Sequence, residues 1–255
     1  MASRQESGLV SNGQVALVTG ASSGLGRATA LALADAGFDV ALLARDEPAL
    51  CVVAAEIESV GRRAWFLPAD LADATATAAA AEEAIGALGR VDLLVNAAGT
   101  DVPGLVADLS VGEWDRVQAV NLRAPFVLAS ALFPQMRRLG GGTIVNISSV
   151  AGKRGWANAA AYCASKFALT GLTQALAAEG KPHGIRACIV YPGGMATHWG
   201  AWSADERHGE RIPAPATTSL PPSRVASLIV WIATAPPEVV LNEAIVSPIE
   251  EEGWP

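Results

Sequence analysis

The chain has little with which to build metal or disulfide chemistry. Its 255 residues include three cysteines and three histidines. Cys51, Cys163 and Cys188 lie far apart, are odd in number and form no C-x-x-C pair, which fits small core residues in a reducing compartment. His183, His198 and His208 have no ligand-like spacing to a cysteine or carboxylate cluster, so no metal is expected. Positive charge is scarce as well: 18 lysines and arginines against 25 acidic residues leave a net charge of −7. That excludes a nucleic-acid surface, and no basic run marks a membrane-binding one. No uninterrupted apolar run reaches membrane-spanning length. The opening MASRQESGLVSNG is polar and lacks an apolar signal core, so a cytoplasmic protein with a flexible stretch over 1–12 is expected.

What is present is material for a core. Half the residues (51%) are hydrophobic and 17% are charged, enough for one large α/β domain. Short apolar runs alternate with alanine-rich stretches of helical character. VALVT (15–19), VALLA (40–44), RAWFL (63–67), VDLLVN (91–96), TIVNIS (143–148) and IRACIVY (185–191) read as strands, with a last one over 243–247. Helices are predicted between them, those ending at Gly37, Gly89 and Gly180 being stopped by glycine, and a single long one over 111–140. Strict βα alternation with nearly all-apolar strands predicts a parallel sheet covered on both faces. With no internal repeat and no Gly/Ser linker, one domain is expected. The rhythm fails at 193–221, where Gly, Pro and Trp crowd together. So long an irregular connection predicts a functional loop or lid over the substrate, and residues 248–255 form a tail.

VALVTGASSGLGRATALALADAG is a strand, a tight turn and a helix start. Gly20, Gly24 and Gly26 let the backbone approach a pyrophosphate, and the helix N-terminus offers unpaired N–H groups to the anion. Ser22, Ser23 and Leu25 belong to the same loop. At the end of the second strand an acidic residue would hold the ribose 2′-hydroxyl of NAD. The tip here carries Ala44 and Arg45, which suits the 2′-phosphate of NADP over NAD, and Ser22 or Ser23 can donate to that phosphate. Asp70, with Leu71 beside it, is placed either for the adenine amino group or as a helix cap.

AAYCASKFAL sets Tyr162 four residues before Lys166, one turn apart on a helix face. In isolation the pair reads as a half-buried tyrosine beside a lysine reaching water. Its company changes that reading. TGASSGLG, NAAG (96–99), Asn121, the serines of NISSVAG, Tyr-x-x-x-Lys and PGGMAT (192–197) occur in order over residues 12–197 and together resemble the short-chain dehydrogenase/reductase family. The resemblance implies a Rossmann-like, doubly wound parallel sheet of about seven strands and a catalytic tetrad of Asn121, Ser149, Tyr162 and Lys166. Within it Ser149 is preferred to Ser148 by its distance from the tyrosine, and Asn121 holds a water behind Lys166. Asn96, Ala97 and Gly99 would flank the adenosine. Pro192, Gly193, Met195 and Thr197 would meet the nicotinamide end, the Met195 N–H fixing the carboxamide.

Chemistry supports these roles. Reduction of a carbonyl leaves charge on oxygen that a positioned acid must quench. A free tyrosine titrates near ~10, and an adjacent ammonium is expected to lower that value. The serine hydroxyl would polarise the substrate oxygen. The expected activity is NADP-dependent interconversion of a carbonyl (a ketone, aldehyde or 3-oxoacyl group) and an alcohol. The same fold can also run as a dehydratase or epimerase, or serve as a non-catalytic dinucleotide sensor, although a sensor has no need of the whole tetrad. Substrate contacts are expected from Ser149, Trp156 and the lid tryptophans Trp199 and Trp202. Apolar residues surround much of the 111–139 and tyrosine helices, which predicts a homodimer or homotetramer built on them.

Overall fold

The computed structural model describes residues 13–196 and 219–250. Seven strands pair in parallel into one sheet of order β3-β2-β1-β4-β5-β6-β7: β1 (Val15–Thr19), β2 (Asp39–Ala44), β3 (Ala64–Pro68), β4 (Leu93–Asn96), β5 (Gly142–Ile147), β6 (Ile185–Pro192) and β7 (Glu243–Val246). This is the expected Rossmann-like single domain. The central strands β1, β2 and β4 are wholly buried because helices cover both faces. At the edge the cover fails, and Trp65 and Phe66 of β3 reach solvent.

One core layer joins α1 (Gly24–Asp35), α2 (Glu47–Ser59) and α7 (Pro222–Thr234) to the sheet through Leu33, Leu50 and Ile229. The opposite layer joins α3 (Ala74–Leu88), α5 (Ala124–Arg138) and α6 (Ala160–Gly180) through Ala81, Leu128 and Leu176. The chain winds outward in both directions from β1 and β4, which pair with each other. A crevice therefore opens at their carboxyl ends, where ligands bind in open α/β sheets.

Several expectations need correction. The long helix over 111–140 is three pieces: α4 (Val111–Gln118), a π-helical turn (Ala119–Arg123) and α5. The extra residue of the π-turn re-aims the side chains around Asn121. α6 ends at Gly180 as expected, but that residue keeps helical backbone angles and is not a left-handed stop. The chain runs on through a 3-10 turn (Lys181–His183) and turns at Gly184, whose φ of +69° is the left-handed one that favours glycine. Gly180 is needed for close packing, since a Cβ there would lie 2.6 Å from the Ile185 carbonyl oxygen. Cys51 is exposed on α2, unlike the buried Cys163 and Cys188, so it is not a core residue. Of the segment 193–221, residues 197–218 lie outside the described residues, as do 1–12 and 251–255. The two ends of that segment are stitched together by Ala196 N–H to Leu220 O and Leu220 N–H to Gly194 O, both 2.9 Å. Among the described residues no helix is long and apolar enough to cross a membrane.

Candidate active site

The turn from β1 to α1 is built around two glycines. Gly20 has a φ of +67°, and a Cβ there would lie 3.0 Å from the Ala98 Cα. A Cβ on Gly26 would fall 2.2 Å from the Gly20 carbonyl oxygen. Side chains are thereby excluded where the strand, the helix start and the loop after β4 converge. The result is one wall of a cleft of about 930 Å³ into which the first turn of α1 faces. Ser23 sits at the N-cap with no side-chain cap bond, so its hydroxyl is not spent on the helix. Ser22, Gly24 and Leu25 line the same wall.

Arg45, at the tip of β2, is exposed and lines the cleft. Its neighbour Asp46 has another task, accepting a hydrogen bond from Ala49 N–H at 3.0 Å as the cap of α2. Asp70 and Leu71 line the cleft beyond it, and Asp70 Oδ1 accepts from Ala72 N–H at 3.0 Å. Capping of α3 falls to Asp73. Opposite Asp70, Arg116 of α4 approaches it at 4.0 Å and also lines the cleft. The geometry, charge and glycine cradle of this half fit a dinucleotide.

At the other end, α6 brings Tyr162 and Lys166 to the carboxyl ends of β5 and β6, and both line the cleft. The Ser149 hydroxyl is hydrogen-bonded to that of Tyr162, while its oxygen accepts from Ala151 N–H at 3.1 Å. The adjacent serine is differently employed: Ser148 Oγ donates to the Lys166 carbonyl at 3.2 Å and holds α6 against β5. Lys153, at the end of the turn after Ser149, is paired with Glu243 of β7 at 2.5 Å and lies over the Tyr191 ring. These contacts fix the turn to the sheet.

Burial pushes the Tyr162 hydroxyl well above its ordinary range; the Ser149 hydrogen bond pulls it partly back, and the charge of Asp101 raises it again. Lys166 gives no offsetting pull, against expectation. Its Nζ donates to the Ile147 carbonyl oxygen at 2.8 Å, and burial lowers its pKa to about 8.

Asn121 is fully buried, and its amide is engaged by protein groups. Oδ1 accepts from Thr100 N–H at 2.8 Å, and Nδ2 donates to Thr100 O at 2.9 Å and Ser165 Oγ at 3.0 Å. Ser165 in turn donates to the Tyr162 carbonyl at 2.7 Å. Both amide hydrogens are thus used, and the side chain clamps the loop after β4 onto α6.

Ala97, Gly99, Trp156, Pro192, Gly193 and Met195 all line the cleft. Asn96 does not: it is buried in the sheet and donates to Asn146 Oδ1 at 2.8 Å. Thr197, Trp199 and Trp202 lie outside the described residues. Sequence reasoning missed Thr100, Arg116 and Asp101. Arg116 was legible as a cation one turn before Asn121, on the face that Val120 also presents to the cleft. Asp101 carries no local signal, because burial by distant elements is what distinguishes it from an ordinary loop acid. Among the described residues no group of His, Cys, Asp and Glu could hold a metal ion.

Residues 14–207 match the family described as short chain dehydrogenase. The chain is 38% identical to the short-chain reductase protein NovJ of Streptomyces niveus, with 88% of each covered. It is 34% identical to the D-threitol dehydrogenase of Mycolicibacterium smegmatis, covering 88% of this chain and 86% of that one. The crystal structure of a metagenomic short-chain oxidoreductase in complex with NADP superposes with a TM-score of 0.81 at 36% identity, covering 96% of this chain and all (100%) of that one.

Proposed function

The chain belongs to the short-chain dehydrogenase family, and from that premise we propose that it is an NADP(H)-dependent oxidoreductase interconverting a carbonyl and an alcohol. The observation that carries this is the Tyr162 hydroxyl, hydrogen-bonded to Ser149 at the mouth of a glycine-cradled cleft. When bound, the dinucleotide supplies or accepts hydride at its nicotinamide. The chain's own residues do the rest. Ser149 donates to the substrate oxygen and holds it beside Tyr162. Tyr162 gives that oxygen its proton in reduction and takes it back in oxidation. Burial favours the phenol and so suits the acid role. Lys166 holds the nicotinamide ribose and brings positive charge toward the phenol once a ligand draws its ammonium from Ile147. Asn121 keeps the two halves of the site in register. Gly193, Met195 and Thr197 receive the carboxamide end.

Preference for NADP over NAD rests on Arg45, with Asp46 committed to a helix cap and Ser23 unspent. It agrees with the NADP held by the metagenomic relative. Substrates are small carbonyl compounds or alcohols, met by Trp156 and the segment carrying Trp199 and Trp202. Phe126 of α5 is 54% exposed and Phe167 of α6 is 46% exposed, which supports a homodimer or homotetramer built on these helices. Light scattering at micromolar concentration that finds a monomer removes that part.

The test is a screen of ketones and secondary alcohols with NADPH, NADH and their oxidised forms. Net turnover with NADP(H) above NAD(H) is the expected result. Tight dinucleotide binding without net turnover would point instead to internal recycling or to a sensor.

A further inference from the structure

Two arginines reach from the helical segment over 111–123 to the loop after β3, and they are used differently. Arg123 Nη2 donates to the Ala72 carbonyl oxygen at 2.5 Å and fixes that loop. Arg116 approaches Asp70 of the same loop only to 4.0 Å, beyond hydrogen-bonding distance, and the two side chains are 46% and 44% exposed. A pair so well hydrated contributes little to stability, so holding the fold does not account for it. Unlike Arg123, Arg116 lines the cleft, and so does Asp70.

Arg116 is carried on a fixed element. A capping box joins Ser110 and Glu113 at the start of α4, and Gln118 Nε2 donates to the Ala161 carbonyl oxygen of α6 at 3.0 Å. Asp70 is steadied in turn by the bond from Ala72 N–H to its Oδ1. Leu71, Ala98 and Val120 line the same cleft and belong to one apolar layer, Leu71 next to Asp70 in the chain and Val120 one turn beyond Arg116. The pair therefore borders an apolar floor, with a planar cation on one side and a carboxylate on the other.

We propose that Arg116 is a further cofactor-binding residue, laying its guanidinium plane on the adenine ring while Asp70 accepts from the adenine amino group. This rests on the dinucleotide-dependent reading above. Adenine, not phosphate, is the chemistry that fits. A phosphate brought to Arg116 would meet the Asp70 carboxylate as well, whereas a guanidinium can stack on a neutral heteroaromatic face and still face its carboxylate. The phosphates are left to the glycine turn before α1 and to Arg45.

The test is a fluorescence titration of the whole chain with NADPH and with NADH, in wild type, Arg116→Ala and Arg116→Lys. Arg116→Ala should weaken both cofactors by the same factor, roughly 3- to 30-fold, the range of a cation–ring contact. That factor should persist from about 50 mM to about 500 mM NaCl, because no phosphate charge is involved. Arg116→Lys keeps the charge and loses the plane, so it should bind closer to the alanine variant than to wild type. A loss below about threefold with both cofactors, a loss confined to NADPH, a factor that fades with salt, or a lysine variant closer to wild type overturns the assignment. Each of those outcomes leaves the oxidoreductase reading intact. A wild type that binds neither dinucleotide overturns both, and one that binds them but turns over no ketone or alcohol overturns only the oxidoreductase reading.

Discussion

The ammonium of Lys166 donates to the carbonyl oxygen of Ile147 at 2.8 Å and lies 5.6 Å from the centre of the Tyr162 ring. Lysine and tyrosine share a helix face, yet the lysine's hydrogen bond in this structure goes to the end of β5. Burial brings its pKa down to about 8, so the folded state binds its proton less tightly than the unfolded chain does. The sign follows directly: its contribution to stability is greatest above the unfolded pKa near ~10.5 and is lost as pH falls through about 8. Lys166→Met should therefore raise the melting temperature at pH 7 and have little effect near pH 10.5, read by calorimetry. The same substitution should cut turnover at least roughly a hundredfold and weaken cofactor binding. Loss of turnover with unchanged cofactor affinity would remove the ribose contact from its role.

Tyr162→Phe deletes one oxygen from a buried ring. Turnover should fall at least about a hundredfold, the usual contribution of an acid–base group, while NADPH affinity measured by fluorescence stays within about threefold. A variant within tenfold of wild type takes Tyr162 out of the proton path.

Arg45→Asp exchanges a cation facing the cleft for an acceptor suited to a free 2′-hydroxyl. The ratio of kcat/KM for NADPH over NADH should drop by at least roughly tenfold. An unchanged ratio makes Arg45 an ordinary surface residue.

Asn121→Ala leaves Thr100 N–H and C=O without their side-chain partner in a buried setting. A loss on the order of 2–4 kcal/mol is expected from urea denaturation, together with lower kcat, because the loop and the tyrosine helix lose their clamp. Wild-type stability in this variant would contradict the clamp.

Burial raises the Asp101 pKa to about 6, partly countered by the Val102 N–H. The native state then binds its proton more tightly than the unfolded chain, so its contribution is full below about pH 4 and disappears as pH rises through 6. Asp101→Asn should match wild type in melting temperature at pH 4 and exceed it by several degrees at pH 7.5. Equal differences at both pH values would mean that the carboxylate is not desolvated.

Much of this was legible in the sequence because it is local. Apolar strands alternating with capped helices specify the parallel sheet, since each element's period and stops are set by its own residues. The turn at Gly20–Gly26, the serine after β5 and the i, i+4 spacing of Tyr162 and Lys166 are likewise properties of short stretches. What a side chain does once buried was not legible, because distant segments decide it. Asn121 reads as a helix residue holding a water until the fold brings Thr100 and Ser165 to its amide within a π-turn. Lys166 reads as Tyr162's electrostatic partner until the fold directs its ammonium to the Ile147 carbonyl oxygen, which accepts its hydrogen bond. Asp101 reads as a loop acid until the surrounding fold removes its water. Desolvation is a sum over neighbours far apart in the chain, so only the tertiary structure could determine these charges and their partners.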